Sequence, residues 1–285
     1  MSASTVKHDQ RRFRPVTAIL WFVVFLVAMV WVVPFVFMIF TSLKTQAAIF
    51  STPAFSPPSE FAWQNYPDAL ERGQLLNSIK NSAIIALIKV PLGLLVSSMA
   101  AFALTRLKIP RAQTILAVLV LGTIVPIQIA LAPLFGIMLG LGLLNRYLGV
   151  ILPYIAFGVP YQIFILYGFL RAIPFELDEA ARIDGATNFQ LFWRIILPLA
   201  KPALAALFIL DFVATWNEFG MALVILQSKE SWTVPLALQG YNTQFSSSYG
   251  QLNAAIIVSI VPVMVVYLLF QKYFVSGTFA GAVKG

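Results

Sequence analysis

Six long apolar runs, at about 16–40, 79–104, 114–139, 147–170, 202–226 and 252–275, constrain this chain more than any other feature. A helix needs about 20 apolar residues to cross the ~30 Å hydrocarbon core of a bilayer, and each run is long enough. Backbone N–H and C=O groups have no water to bond in lipid, so runs of this length are read as helices. The expected fold class is all-α: a polytopic membrane protein with six transmembrane helices. Composition agrees, with 60% hydrophobic and 11% charged residues against about 45–50% and about 25% in soluble domains. Pro34, Pro91, Pro126, Pro133, Pro153, Pro160 and Pro262 interrupt five of the runs, as membrane helices tolerate, and leave the interior of the fifth free.

Several chemistries are excluded at once. The chain has no cysteine, which removes disulfides, thiolate nucleophiles and thiolate-held metals. Its single histidine, His8, precedes the first run, so no histidine triad or metal site is expected in the body, and no cofactor. Arg11, Arg12 and Arg14 precede the first run as in a signal peptide, but an h-region spans only about 7–15 residues. The first run is read as a retained anchor.

Basic residues set the orientation, because cytoplasmic loops carry an excess of them. With the N-terminus inside, the inner segments hold Lys7, Arg11, Arg12, Arg14, Arg106, Lys108, Arg111, Arg171, Arg182, Arg194, Lys201, Lys272 and Lys284. The outer segments hold only Lys44, Arg72, Arg146 and Lys229, with Lys80 and Lys89 at the edge of or within the second run. Both termini are expected in the cytoplasm. The formal charge of +8 then follows from topology and an anionic inner leaflet, and no nucleic-acid partner is required. The chain divides into a cytoplasmic tail (1–15), a membrane domain (16–275) and a second cytoplasmic tail (276–285). The membrane domain carries a cytoplasmic loop at 171–201 and external loops at 41–78 and 227–251.

The cytoplasmic loop has the most structured pattern. Pro174 presets a helix start, Glu176, Asp178 and Glu179 suit the positive end of the dipole, and Asp178 and Arg182 stand four apart. Gly185 is a natural stop, and Thr187 with Gln190 has capping-box spacing for a second short helix. On this pattern alone the loop reads equally well as an amphipathic surface hairpin. The whole string is more specific: Glu179-Ala180-Ala181, three residues, Gly185, nine residues, Ile195, one residue, Leu197-Pro198. It resembles the EAA motif of permease subunits in binding-protein-dependent ABC importers.

Further segments carry the resemblance. Trp216-Asn217-Glu218-Phe219, Thr233-Val234-Pro235 with Leu238-Gln239, and the ending Gly277 to Gly285 are similar to the carbohydrate branch, nearest to its smaller, maltose-type permease subunit. The likeness covers about residue 16 to the end. It implies a type I ABC importer fold in the inner membrane of a prokaryote. The implied partners are a second, different permease subunit, two ATPase subunits and an external substrate-binding protein, besides membrane lipid. It implies that Glu179, Ala180, Ala181, Asp184, Gly185, Ile195, Leu197 and Pro198 couple to the ATPase, with Ala180 and Ala181 buried there. It also implies that Gly277, Gly281, Lys284 and Gly285 of the tail reach between the ATPase subunits. The chain lacks any Gly-Lys pair, hence any phosphate-binding Gly-x4-Gly-Lys-Ser/Thr loop, so it is not itself the ATPase and no enzyme activity is expected.

Two further sets of residues are candidates. Trp232, Tyr241, Thr243 and Ser247 in the third external loop suit a contact with the binding protein, or equally a membrane-interface belt. Within the spans, about 1.5 Å per residue places Lys89 about 15 Å below the outer surface, Glu218 about 12 Å and Asp211 about 22 Å. Glu218 is therefore the expected partner of Lys89, with Gln128 near that level and Asn217 adjacent. These residues either line a translocation pathway or hold helices together. Lys89, Asp211 and Glu218 would be the charge carriers if the chain were instead an ion-coupled secondary transporter or a channel. Gly136 and Gly140 have the spacing of a close helix contact.

Overall fold

The computed structural model describes residues 15–72, 74–243 and 246–282. His8 and the basic residues before the first run, and Lys284 and Gly285 at the other end, lie outside them. Four helices span outright: Pro15–Ser42, Leu75–Arg106, Tyr147–Arg171 and the long last helix Tyr249–Ala282. Two further spans are bent pairs, giving up to six crossings. Pro34, Pro91, Pro153, Pro160 and Pro262 all lie inside continuous helices. The last helix carries Gly277 and Gly281 within its run rather than in an irregular tail.

The third crossing is not one rod. Ala112–Gly122 and Ile127–Gly140 meet at 88°, with Pro126 in extended backbone between them. Pro disfavours helix in the residue before it, which accounts for a break there. The small-residue pair of the second half makes no close contact among the described residues, since a Cβ on Gly136 or Gly140 would meet open space.

The proline-free fifth run is broken, against expectation. One helix covers Lys201–Trp216, Asn217 closes it, and a second short helix covers Gly220–Ile225. Below it, the segment from Asn188 to Leu199 approaches at 72°.

The main core joins the second, fourth and fifth spans to the loop between the fourth and fifth through Val90, Leu94, Phe102, Leu166, Phe192 and Leu207. A second cluster packs Met138, Ile151, Tyr154 and Ile225 toward the outer side. The first span behaves differently. Its packing partner is the sixth span, and Trp21, Phe25, Trp31 and Phe35 are exposed. Such a helix needs lipid or another subunit around it.

The loop between the fifth and sixth spans is pinned to neighbouring ends of the second and fourth. Asn81 Nδ2 donates to the carbonyls of Glu230 (2.8 Å) and Trp232 (2.9 Å), and Tyr147 donates to Asn81 Oδ1 (2.8 Å). Asn145, with φ of 58°, accepts from the amides of Gln227 (2.6 Å) and Ser228 (2.8 Å). These bonds anchor the loop backbone to the second span and to the start of the fourth.

Candidate functional site

The loop between the fourth and fifth spans folds as its caps dictate. Glu176–Ile183 is helical, and Gly185 takes φ of 82°, the left-handed conformation that only glycine adopts without strain. The amide of Ala186 donates to Ala181 O (2.9 Å) and that of Gly185 to Arg182 O (3.0 Å), a Schellman closure. Thr187 and Gln190 form the capping box, with Thr187 N donating to Gln190 Oε1 at 2.8 Å. A six-residue π-helical turn, Leu191–Ile196, follows.

A residue absent from the sequence-derived set holds this loop. Arg106, the last residue of the second span, is fully buried; its Nε lies 3.1 Å from Asp178 Oδ2. Its Nη2 donates to the carbonyls of Leu170 (3.0 Å) and Ile173 (2.9 Å), and the guanidinium lies 4.2 Å from the Phe175 ring centre. Asp178 therefore pairs with Arg106, while Arg182 donates to Asn188 Oδ1 at 2.9 Å. Burial pushes the Asp178 carboxyl above the usual carboxylate range, and the Arg106 and Arg182 charges pull it back in part. One guanidinium thus ties the ends of the second and fourth spans to the first turn of the loop helix.

The loop's motif residues separate into two sets. Ala181 is buried in this chain's own core, and Ile195 and Leu197 pack against it, so Ala181 is not free for a partner as expected. Glu179, Ala180, Asp184, Gly185 and Pro198 are exposed. Beside them stand Ile183, 86% exposed, and Phe189, 71% exposed, which make an apolar knob on the loop.

Inside the membrane domain, Lys89 pairs with Asp211 and not with Glu218. The second span starts at Leu75, four residues earlier than the apolar run, which puts Lys89 about 21 Å down, level with Asp211. Glu218 sits in the break of the fifth span. It accepts from the Tyr154 hydroxyl and from the amides of Met221 (2.8 Å) and Ala222 (3.1 Å), capping the short outer helix. Gln128 is exposed and bonds neither group among the described residues; Asn217 is exposed and borders a cavity of about 280 Å³ with Trp216, Ser259 and Val263.

Gln162 extends the Lys89 site. It accepts from Ser97 Oγ at 2.8 Å, and a Cβ on Gly158 would lie 3.2 Å from Lys89 Nζ, 3.5 Å from Gln162 Nε2 and 3.7 Å from Asp211 Oδ1. Lys89 and Ser97 share a face of the second span, and Gly158 and Gln162 one of the fourth. A polar side chain in mid-run was the readable signal for Gln162. Tyr154→Phe should lower the melting temperature of the purified protein by removing a hydrogen bond to a carboxylate, a loss of about 1.5–3 kcal/mol; an unchanged melting curve would show that the Glu218 cap stands without it.

In the loop before the sixth span, Tyr241 is buried at 1% exposure and donates to Ala69 O, so it is unavailable to a binding protein. Its ring fills a pocket with Leu75, Ala237 and Ala254, where burial of a large aromatic outweighs surface placement. Trp232 is half-buried against the outer cluster. Thr243 and Ser247 lie on the two strands of a small antiparallel hairpin, Asn242–Thr243 with Ser246–Ser247.

The family described as binding-protein-dependent transport system inner membrane component matches residues 89–279. The diacetylchitobiose uptake system permease protein NgcG of Streptomyces coelicolor is 34% identical, over 95% of this chain and 89% of that protein. The trehalose transport system permease protein SugB of Mycobacterium tuberculosis is 38% identical, over 80% of this chain and 84% of that one. Among solved structures, a chain of a bacterial ABC transporter involved in the import of the acidic polysaccharide alginate superposes with a TM-score of 0.77 at 26% identity. That match covers 95% of this chain and 100% of the other.

Proposed function

The chain belongs to the binding-protein-dependent transport system inner membrane components, the permeases of ABC importers, and we propose that it forms half of the pathway of a carbohydrate importer. Membership makes it a transport component whose ATPase is a separate subunit. The single observation that carries the coupling assignment is the braced loop. Arg106 fixes its base to two spans while Ile183 and Phe189 project from it, exposed. A rigid lever with an apolar tip is what a subunit needs to pass a rigid-body motion from an ATPase to membrane helices. The exposed Glu179, Ala180, Asp184 and Gly185 would flank that contact.

The remaining partners are a second, different permease, which would cover the bare first span and the open Gly136–Gly140 face, and an external binding protein. The names of the relatives support an oligosaccharide or disaccharide cargo. Thr243, Ser247 and the exposed part of Trp232 remain the binding-protein contacts, without Tyr241. Gly277 and Gly281 would reach the ATPase as the end of a helix. The Lys89–Asp211 pair serves to hold the second, fourth and fifth spans together, whereas Asn217, exposed at the break of the fifth span, borders the pathway. Both termini are cytoplasmic, following the basic residues.

Reconstitution tests the reading. Vesicles holding this chain with its partner permease and ATPase should take up oligosaccharide only with binding protein and ATP, whereas this chain alone with an ion gradient should take up none. Uptake by the chain alone would establish a secondary transporter. Because the chain has no cysteine, single cysteines report orientation cleanly. A membrane-impermeant thiol reagent should reach Glu230→Cys in intact cells and Lys108→Cys only after permeabilisation; the reverse pattern overturns the topology.

A further inference from the structure

Two adjoining hollows lie where the third, fourth and fifth spans meet their inner ends. One, of about 460 Å³, is lined by Arg111, Arg171, Thr105, Gln113 and Tyr167, and reaches Phe175 at the base of the coupling loop. The other, of about 540 Å³, is apolar and runs between Tyr161, Phe164 and Gly168 of the fourth span and Leu207 and Leu210 of the fifth. Tyr167 borders both. Arg111 and Arg171 are exposed, and neither guanidinium makes an ion pair or hydrogen bond among the described residues; that of Arg171 lies 5.8 Å from the Tyr167 ring centre.

Dimensions and charge point to one occupant. Tyr161 stands ten residues from Arg171 along the helix, about 15 Å, which is one leaflet of a ~30 Å hydrocarbon core. The groove opens sideways, since Tyr161 and Phe164 are each 50% exposed, and a Cβ on Gly168 would meet nothing. We propose that this composite site binds one anionic phospholipid of the inner leaflet, its phosphate between Arg111 and Arg171 and an acyl chain in the apolar groove. Basic pockets between spans on the cytoplasmic side have the charge to select such headgroups. The leaflet assignment rests on the orientation given above. The headgroup pocket shares Phe175 with the Arg106 brace, so the lipid would support the base of the coupling loop.

The test uses the assembled transporter, purified in detergent and examined by native mass spectrometry. The unmodified complex should retain phosphatidylglycerol through delipidation, and in titrations should prefer it to phosphatidylcholine. Removing both charges by Arg111→Gln with Arg171→Gln should weaken phosphatidylglycerol binding about 25-fold, at about fivefold per basic side chain. Gly168→Leu should also expel the lipid, by filling the groove while leaving both arginines. Inorganic phosphate should not displace it. Equal lipid retention in the variants overturns the site, displacement by phosphate makes it a free-anion site, and a crosslink from Gly168→Cys to the partner permease shows that protein covers it. Inverted labelling of Lys108→Cys overturns the leaflet instead, so the two failures are told apart.

Discussion

Ile183→Asp is expected to release the ATPase subunits and abolish uptake while the chain still inserts and keeps its Arg106–Asp178 brace. Ile183 is the most exposed of the large apolar residues on the loop, at 86%, and touches none of the core, so the substitution leaves this chain's own packing alone. Seating that side chain in a partner is worth about 1.5–3 kcal/mol, and burying a charge there instead adds a further penalty of a few kcal/mol. Together these amount to about a thousandfold in affinity. Co-purification of the ATPase with the tagged permease reads the effect directly. Ala181→Leu is the contrasting change: it strains the chain's own core and should lower yield before it affects docking. If the Asp variant retains its ATPase and transports normally, the apolar knob is not the docking surface.

The second large effect concerns the ion pair inside the membrane. Lys89→Met should leave Asp211 as an unpaired charge at mid-depth, a loss of about 3–5 kcal/mol for one broken buried pair. The protein should then misassemble or be degraded. Lys89→Met combined with Asp211→Asn removes both charges and should restore yield, because a neutral pair carries no such penalty. Transport should return with assembly, since the pair is assigned to holding helices together. Recovery of assembly without transport would place Lys89 or Asp211 in the pathway; full function of Lys89→Met alone would remove the pair from either role. Pairing Lys89→Met with Glu218→Gln should rescue nothing, because Glu218 caps a different helix.

The apolar runs locate the crossings because lipid leaves the backbone few alternatives, and the loop helix, its glycine closure and its capping box follow from residues a few positions apart. The partner of Lys89 does not. A straight rod from the first apolar residue misplaces its depth, because the second helix begins earlier, at Leu75, and the fifth is interrupted at Asn217. The signal for that interruption is local and polar, Asn217, Glu218 and Gly220 rather than a proline, and Tyr154 of another span meets Glu218 at the break. Arg106 looked like one more inside-positive residue, and its role appears only when Asp178 and two carbonyls converge on it. Tyr241 fails for the same reason, since an aromatic among serines reads as surface until its pocket is assembled.

The ion pair also sets a timetable for the protein's birth. Lys89 and Asp211 are 122 residues apart. At about 5–20 residues per second, the second span waits about 6–24 s after leaving the ribosome before its counter-charge is made. A lone ammonium at the bilayer centre costs about 2.5–3.5 kcal/mol throughout that interval. The second span is therefore best kept beside the insertion machinery, in contact with water, until the fifth arrives. Release into lipid would be a joint event for the two, and slowing translation between them should lengthen the period in which the nascent chain is open to quality control.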